Sequence, residues 1–269
     1  MKRVHAPELE DMAWFPSVLR TGLTNLIVVF ARAFGVVPVL ATLVKRALRT
    51  AEVDRVVDLG SGGGGSMPEV IDHVRRDPET SQVELVLTDK YPNLDAVEKF
   101  QGGHVRYKRQ SVDATDLATA PLGLKTMVNC FHHMRPPQAR AILASAVRTR
   151  QPILIYEMAD NEVPLPVFLL FLPVGLALVF VFALVMTPFV RPLTARQLVF
   201  TYVLPLIPLG YAWDGQMSLP RIYTLRDLDE LLAGLPTDDY VWEKGHALTE
   251  RGKKKGIYLL GMPATSRIS

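Results

Sequence analysis

Cysteine is nearly absent from this sequence: the chain of 269 residues contains only Cys130. One cysteine excludes an internal disulfide, and such a chain is compatible with a reducing cytoplasm. A secretory signal is lacking as well, because the opening MKRVHAPELEDMAWF has acidic residues where an apolar core should begin. The sequence also contains no internal repeat. These absences favour a cytoplasmic location.

A strong charge of either sign is also missing. The chain has 30 Lys and Arg against 27 Asp and Glu, and its formal net charge of +3 is a weak pointer to anionic partners. The basic residues have no interleaved aromatic residues and form no nucleic-acid-binding motif, so we expect no nucleic-acid partner. The His, Cys and Asp residues follow no metal-ligand spacing, so we expect no metal.

Apolar residues are abundant, at 49%, and much of the excess lies between Val163 and Trp213. Within it, the stretch LPVFLLFLPVGLALVFVFALVM carries no charge and no hydrogen-bonding side chain. The sequence on both sides has the pattern of a soluble enzyme. We therefore divide the chain into an N-terminal helical segment (1–52), a main domain (53–162 with 214–269) and a hydrophobic helical insertion (163–213).

From Val53 onward, short β-rich runs alternate with helical runs. The predicted strands lie at residues 55–60, 83–89, 105–111, 126–131, 152–158, 240–248 and 256–262, and the predicted helices at 67–76, 94–100, 136–150 and 224–235. Strands that alternate with helices pair in parallel through right-handed crossovers. The last two strands are joined by the short loop TERGKKK and must be antiparallel. We predict a doubly wound α/β fold with a mostly parallel seven-stranded sheet whose last strand is antiparallel.

The loop VVDLGSGGGGS joins the first predicted strand to a helix. Its glycines let a ligand approach the backbone, and the helix N-terminus offers free N–H groups to an anion. Gly60, Gly62 and Gly65 match the dinucleotide pattern G-x-G-x-x-G. Asp58, Gly60, Gly62 and Gly64 equally match the pattern (D/E)-x-G-x-G-x-G. The glycines alone fit either class of cofactor.

The second pattern resembles the S-adenosylmethionine (SAM) loop of class I methyltransferases, and a reversed last strand is also that family's topology. The resemblance covers roughly residues 53–162 and 220–263 and implies SAM as cofactor, with a dinucleotide as the alternative. It implies that Asp58 meets the methionine end of SAM, directly or through water. The other loop residues implied in binding are Gly60, Ser61, Gly62 and Gly64. In the alternative interpretation, Asp58 caps backbone amides.

Further cofactor contacts follow from the same resemblance. Asp89, which ends the second strand, can accept hydrogen bonds from both ribose hydroxyls, and the adjacent Lys90 is a further expected cofactor contact. Asp113 is expected to contact the adenine amino group, and the backbone of Ala114 the adenine ring. Asn129, near the end of the fourth strand, completes the set. As alternatives, Asp89 is a solvated turn residue and Asp113 a helix cap.

His132 and His133 stand at the carboxyl end of the fourth strand, where the resemblance places substrate-facing residues. In methyl transfer from a sulfonium, the protein mainly positions the acceptor and removes its proton if needed. An imidazole titrates near neutral pH, so one histidine is a candidate general base. Glu157, with Asp160 shortly after it, is a second candidate for the acceptor site. The alternative is that one histidine packs, the other caps a turn, and the carboxylates are solvated.

The apolar insertion leaves the carboxyl end of the fifth strand, the edge at which open parallel sheets bind ligands. A methyltransferase builds its acceptor pocket there, so we expect a lipophilic acceptor, with oxygen favoured as the acceptor atom. The longest proline-free run, Val174 to Thr187, would be ~21 Å as a helix, against ~30 Å for a bilayer core. We therefore predict a helical hairpin that dips into one leaflet, or lies in its interface, at the cytoplasmic face of the membrane.

Two further interpretations stay open. The insertion can be a soluble lid buried in a homodimer that methylates a hydrophobic secondary metabolite, or the chain can be a SAM-binding membrane scaffold without turnover. The loop TERGKKK is expected at the same edge of the sheet, where its basic residues can meet anionic lipid or simply be solvated. These residues are Arg251, Lys253, Lys254 and Lys255.

Overall fold

The computed structural model describes residues 1–236 and 238–264, so residues 265–269 of the predicted main domain lie outside the described part. The helices are α1 (Ser17–Ala33), α2 (Val36–Ala51), α3 (Met67–Val74), α4 (Leu94–Lys99), α5 (Pro136–Thr149), α6 (Leu165–Met186), α7 (Ala195–Leu198), α8 (Leu206–Met217) and α9 (Leu225–Leu232). The strands are β1 (Arg55–Leu59), β2 (Glu84–Thr88), β3 (Gln101–Gly102), β4 (Val105–Tyr107), β5 (Leu124–Val128), β6 (Ile153–Glu157), β7 (Tyr240–Leu248) and β8 (Lys254–Pro263).

Within the described residues these strands form one sheet in the order β3-β4-β2-β1-β5-β6-β8-β7. The last strand, β8, is antiparallel to both of its neighbours, and the pairs among β4, β2, β1, β5 and β6 are parallel. This confirms the predicted α/β class and the reversed last strand. The predicted count of seven misses β3, a two-residue strand that turns back onto β4 through Gly103 at φ 73°. Two residues are too few to show the alternation that marks a strand.

Apolar layers cover both faces of the sheet, as a doubly wound fold requires. Helices α2, α3 and α4 contribute to one layer and helices α5 and α9 to the other. The first layer includes Leu40, Val44, Val70, Ile71 and Val97, and the second includes Ile142, Leu143, Leu228 and Leu231. All of these side chains are buried, so the sheet needs no further partner on either face.

A third apolar cluster joins the N-terminal helix α1 to the insertion. Leu23 and Leu26 of α1 pack with Ala183 of α6 and with Ile207 and Tyr211 of α8. The predicted insertion is therefore a hairpin in which α6 and α8 pack against each other and against α1. The N-terminal segment, which is distant in sequence, therefore provides part of the surface on which the hairpin packs.

Helix α6 runs without a break for 22 residues and contains Pro173. Counting only the proline-free run as helix was therefore wrong. One proline removes a single hydrogen bond, and the intact turns on both sides of it carry the helix through. By length and composition alone, Leu165–Phe189 could cross a membrane, and α1 with α2 pass the same test only as a pair bent by 86°.

Both ends of α6 nevertheless contact other parts of the chain, the first end the main domain and the last the N-terminal segment. Just before its first residue, the Glu162 carboxylate lies 3.4 Å from Lys254 of β8. Near its last turn, the ring of Phe182 contacts those of Phe30 and Phe34, at centroid distances of 5.6 and 5.8 Å. Between these two phenylalanines, Arg32 pairs with Glu69 of α3. The start of α6 is therefore tied to β8, and its last turn packs on α1, which is itself paired with α3.

Candidate active site

The glycine loop follows β1 at the carboxyl edge of the sheet, where its conformation requires glycine. Gly62 and Gly64 have φ of 50° and 104°, and residues that carry a side chain rarely adopt these backbone angles. A Cβ at Gly64 would also lie 2.8 Å from the ring of Phe100. Helix α1 passes over the loop, and a Cβ at Gly63 would lie 3.5 Å from the methyl carbon of Thr24. The loop is therefore bare backbone on a surface covered by α1.

Asp58 is buried near the end of β1, and both of its carboxylate oxygens accept hydrogen bonds from hydroxyl groups. Ser61 Oγ donates to Oδ2 and Thr126 Oγ1 donates to Oδ1, each at 2.7 Å. Burial raises the pKa of Asp58 to about 7, although both hydroxyl bonds lower it. These donors are side chains and not the backbone amides of the capping interpretation. Asp58 thus ties the glycine loop to the adjacent strand β5.

Asp89 holds the same loop from the end of β2. Its Oδ2 accepts the N–H of Gly62 at 2.9 Å, and its Oδ1 accepts the N–H of Tyr91 at 2.8 Å. Burial raises the pKa of Asp89, while these backbone donors act in the opposite direction. Asp89 is partly buried and anchors the glycine loop to the turn that follows β2. The structure thus brings Asp58, Asp89 and the glycine loop together.

Asp113 lies at the rim of this region in the geometry of a cap. Its Oδ1 accepts the N–H of Thr115 at 2.9 Å and the hydroxyl of Thr115 at 2.7 Å, as in the alternative interpretation. The ammonium group of Lys90 lies 2.7 Å from Oδ2, and this hydrogen bond lowers the pKa of Asp113 to about 2. The neighbouring Ala114 packs against the second apolar layer.

Asn129 links the ends of β5 and β6. Its backbone has a positive φ of 53°, and its Oδ1 accepts the N–H of Met158 at 2.9 Å. Its own N–H donates to the carbonyl of Tyr156 at 2.8 Å. The side chain therefore fixes the backbone that leads to the acceptor end of the site.

His132 lies in a 3₁₀ turn (Phe131–His133) just past β5, held by Glu157 of β6. Glu157 Oε1 accepts the N–H of His132 at 2.9 Å, and Oε2 lies 2.8 Å from Nδ1. Burial lowers the pKa of His132, but the charge and hydrogen bond of Glu157 outweigh this effect and the net shift is upward. A histidine whose Nδ1 is held by a carboxylate presents Nε2 for proton transfer.

Two carboxylates from the N-terminal segment complete the cluster, and sequence reasoning missed both. Glu8 Oε1 lies 3.7 Å from His132 Nε2, and Glu8 Oε2 lies 3.4 Å from His133 Nδ1. Asp11 Oδ1 lies 2.8 Å from the same nitrogen of His133. Burial and the neighbouring His132 lower the pKa of His133 to about 4, against the effect of Asp11. The acidic residues in the opening sequence were visible, but no local pattern links them to a turn more than 120 residues away.

Arg221 supplies a buried positive charge to this acidic cluster. Its Nη1 lies 3.1 Å from Glu8 Oε1 and 2.7 Å from Asp11 Oδ2. Ligand-type atoms of Glu8, His132 and His133 lie within 4.8 Å of one another, close enough to hold a metal ion, which the sequence spacing did not reveal. A metal would have to share Glu8 with the guanidinium of Arg221. The absence of a metal stays a prediction.

Comparisons with known proteins place this architecture. No family profile matches the chain, and no curated protein matches its sequence. Among solved structures, plantazolicin methyltransferase BamL, in complex with a triazolic desmethylPZN analog and SAH, has a TM-score of 0.50 and 12% identity, covering 92% of this chain and 98% of that chain. Plantazolicin methyltransferase BpumL, in complex with a pentazolic desmethylPZN analog and SAH, has a TM-score of 0.50 and 10% identity with the same coverage. The fold is that of the class I methyltransferases.

The class I methyltransferase fold explains why these side chains meet. Four parallel strands end at one edge, and each delivers a polar residue there or just beyond its end: Asp58 from β1, Asp89 from β2, His132 from β5 and Glu157 from β6. Such an edge is where open α/β sheets bind ligands. The edge therefore has a glycine-loop half and a histidine half, with α1 and the N-terminal segment lying over them.

Proposed function

We propose that this protein is a SAM-dependent methyltransferase that works at the cytoplasmic surface of a membrane and methylates a lipophilic acceptor. The observation that carries the proposal is the position of an exposed apolar hairpin beside the histidine half of a class I methyltransferase site. The fold supports SAM as the cofactor, and the hairpin supports a lipophilic acceptor.

SAM is the proposed cofactor because the glycine loop, Asp58 and Asp89 are assembled at the edge of the sheet. The two similar solved structures are both complexes with SAH, the product of SAM. In this proposal Asp58 meets the methionine end of the cofactor, directly or through water, and Asp89 accepts hydrogen bonds from the ribose hydroxyls. The backbone of the glycine loop approaches the cofactor closely in the same proposal, because glycine has no side chain to hold the two apart.

A membrane is the proposed partner because the hairpin exposes apolar side chains over its whole length. Leu170 is 73% exposed, Leu178 66% and Val203 71%. Other exposed apolar residues of the hairpin are Leu169, Phe171, Val174, Val181, Val185, Phe189, Leu204 and Leu209. Contiguous apolar patches of this kind mark membrane or protein contacts. Because both ends of α6 are held by other parts of the chain, this surface fits a helix lying in the membrane interface better than one crossing the bilayer.

The proposed chemistry is removal of a proton from a hydroxyl acceptor by His132 as the methyl group is transferred. Glu157 binds Nδ1 and leaves Nε2 for the acceptor. The acceptor oxygen attacks the methyl carbon of the sulfonium, the carbon–sulfur bond breaks, and the acceptor proton passes to His132. An in-line displacement of this kind depends mainly on positioning.

Two binding measurements test the proposal. Calorimetry of the purified protein should show binding of SAM and SAH, and binding of NADH without SAM would contradict the cofactor assignment. Flotation with lipid vesicles should carry the protein into the lipid fraction. A protein that stays in the soluble fraction as a stable dimer would contradict the membrane assignment and favour the second candidate, a soluble dimer acting on a hydrophobic metabolite. The exposed hairpin surface is the observation that supports this second candidate.

A further inference from the structure

The histidine half of the site is closed in this structure. His132, Glu157 and Glu8 are each less than a tenth exposed. Glu8 Oε1 lies 3.7 Å from His132 Nε2, the nitrogen that Glu157 leaves free. An acceptor hydroxyl needs roughly the same position, because a general base must lie within ~3 Å of the proton it removes. Access to His132 therefore requires Glu8 to move.

Glu8 belongs to a short segment, residues 7–11, which we name the gate segment. Helix α8 holds this segment through three hydrogen bonds. Trp213 Nε1 donates to the carbonyl of Pro7 at 3.0 Å. The carboxylate of Asp214 accepts the N–H of Leu9 at 2.7 Å and the N–H of Glu10 at 3.1 Å. The gate segment is thus fastened to a helix of the apolar hairpin.

The residues just before the gate segment have a different anchor. The N–H of Lys2 donates to Asp227 of α9 at 2.7 Å, and the N–H of Val4 donates to the carbonyl of Pro220 at 2.8 Å. Residues 1–4 therefore stay with the main domain if α8 shifts. A movement of α8 relative to α9 would pull on residues 7–11, against the ion pairs of Glu8 and Asp11 with Arg221 and His133, and leave residues 1–4 in place.

Helix α8 also reaches the apolar surface of the hairpin. Leu206, Leu209 and Trp213 are all exposed, and Trp213 is the residue that holds Pro7. Tryptophan side chains favour the membrane interface, where the indole N–H meets headgroups and water. A lipid surface that takes up Trp213 therefore competes directly with its bond to the gate segment.

Closing the gate costs free energy, because it buries the carboxylate of Glu8. Burial raises the pKa of Glu8 to about 7, although His132 and Arg221 act in the opposite direction. Because burying this carboxylate costs free energy, a smaller competing interaction is enough to move it away from His132. From these contacts we propose that residues 7–11 gate the histidine pair, and that the gate opens when α8 settles into a lipid surface. This inference rests on the membrane part of the proposed function.

Amide hydrogen exchange of the full chain, with and without anionic phospholipid vesicles, tests the gate. The amides of Leu9 and Glu10, bound to Asp214, should exchange at least about tenfold faster on vesicles, a change that corresponds to ~1.4 kcal/mol in the opening equilibrium. The amide of Lys2, bound to Asp227, should keep its protection. Unchanged exchange of Leu9 and Glu10, in a sample that flotation shows to be fully bound, would overturn the gate and leave the membrane proposal intact.

A pair of matched tryptophan variants makes the same test without lipid. Trp213→Phe keeps an apolar ring but removes the donor to Pro7, so the amides of Leu9 and Glu10 should exchange faster in solution. Trp242→Phe is the control, because Trp242 Nε1 has no hydrogen-bond partner among the described residues. Faster exchange in the first variant alone supports the gate. Equal exchange in both variants and the unmodified protein would overturn the role of α8.

Discussion

Replacement of Asp89 tests cofactor binding separately from catalysis and from membrane binding. Asp89 holds Gly62 and is the side chain that we propose for the ribose hydroxyls. Asp89→Ala should weaken SAM binding by at least ~1.5 kcal/mol, as expected when hydrogen bonds to a charged group are lost. Asp113→Ala is the control and should cost less, because Asp113 is already paired with Lys90 and Thr115. Calorimetry that finds SAM affinity unchanged in Asp89→Ala would remove this residue from the cofactor site.

His132 is the residue on which turnover should depend. His132→Ala should lower turnover by ~10²–10⁴-fold while SAM affinity stays nearly intact, because the base acts on the acceptor. The base must be neutral, so turnover should fall as pH drops through the raised pKa of His132. In Glu157→Gln this fall should occur at lower pH, since the charge that raises the pKa is gone. Full activity in both His132→Ala and His133→Ala would remove the histidines from the mechanism.

Single residues also show where sequence reasoning reached its limit. The positions of Asp58 and Asp89 could be predicted because each ends a strand with a clear apolar pattern. The roles of Glu8, Asp11 and Arg221 could not, because their contacts cross more than 85 residues of chain and depend on how α1 and the hairpin dock. The resemblance favoured an adenine contact for Asp113 over a cap, and its contacts to Thr115 are those of a capping side chain.

At the level of elements, the exposed face of α6 carries the membrane prediction. The double variant Leu170→Glu, Leu178→Glu should float with vesicles much less than the unmodified protein, since burying each leucine is worth ~1.5–3 kcal/mol. Its thermal stability should change little, because both side chains are exposed. Leu122→Glu is the control: Leu122 is 71% exposed but lies just before β5, at the opposite edge of the sheet. Equal loss of flotation in both variants would contradict a specific membrane face.

The basic residues of the turn between β7 and β8, together with the first residues of β8, are expected to contribute the electrostatic part of membrane binding. Charge reversal at Lys253, Lys254 and Lys255 should weaken flotation with anionic vesicles at low salt and have little effect at high salt, because salt screens exposed charges. Lys254 already lies 3.4 Å from Glu162, so its share should be the smallest of the three. A loss of binding that is equal at low and high salt would contradict an electrostatic role.

Element boundaries illustrate which features a sequence pattern can and cannot carry. The alternation of strands and helices predicted the sheet because buried strands and amphipathic helices have different periods. The strand predicted at 105–111 ends at Tyr107, and its hairpin partner β3 was missed, because both strands are short. The length of α6 was underestimated because a proline inside a long apolar helix removes only one of many hydrogen bonds.

For the whole molecule, the membrane account depends on how the parts are arranged. The class I methyltransferase topology was predictable, whereas the docking of α1 over the glycine loop and of the hairpin along the domain was not. Those contacts join segments with no shared local pattern, and only the folded chain reveals them. Through α8, the exposed hairpin contacts the segment that covers the histidine pair, and this link is the one that the proposed lipid acceptor requires.

The most direct test of this account is transfer of a labelled methyl group. The purified protein is incubated with methyl-labelled SAM and vesicles made from a lipid extract, and the label is then counted in the organic-soluble fraction. We expect label in a lipid product with the unmodified protein, and little with His132→Ala although that variant still binds SAM. A protein that binds both SAM and the vesicles yet transfers no label to any lipid would contradict the central claim.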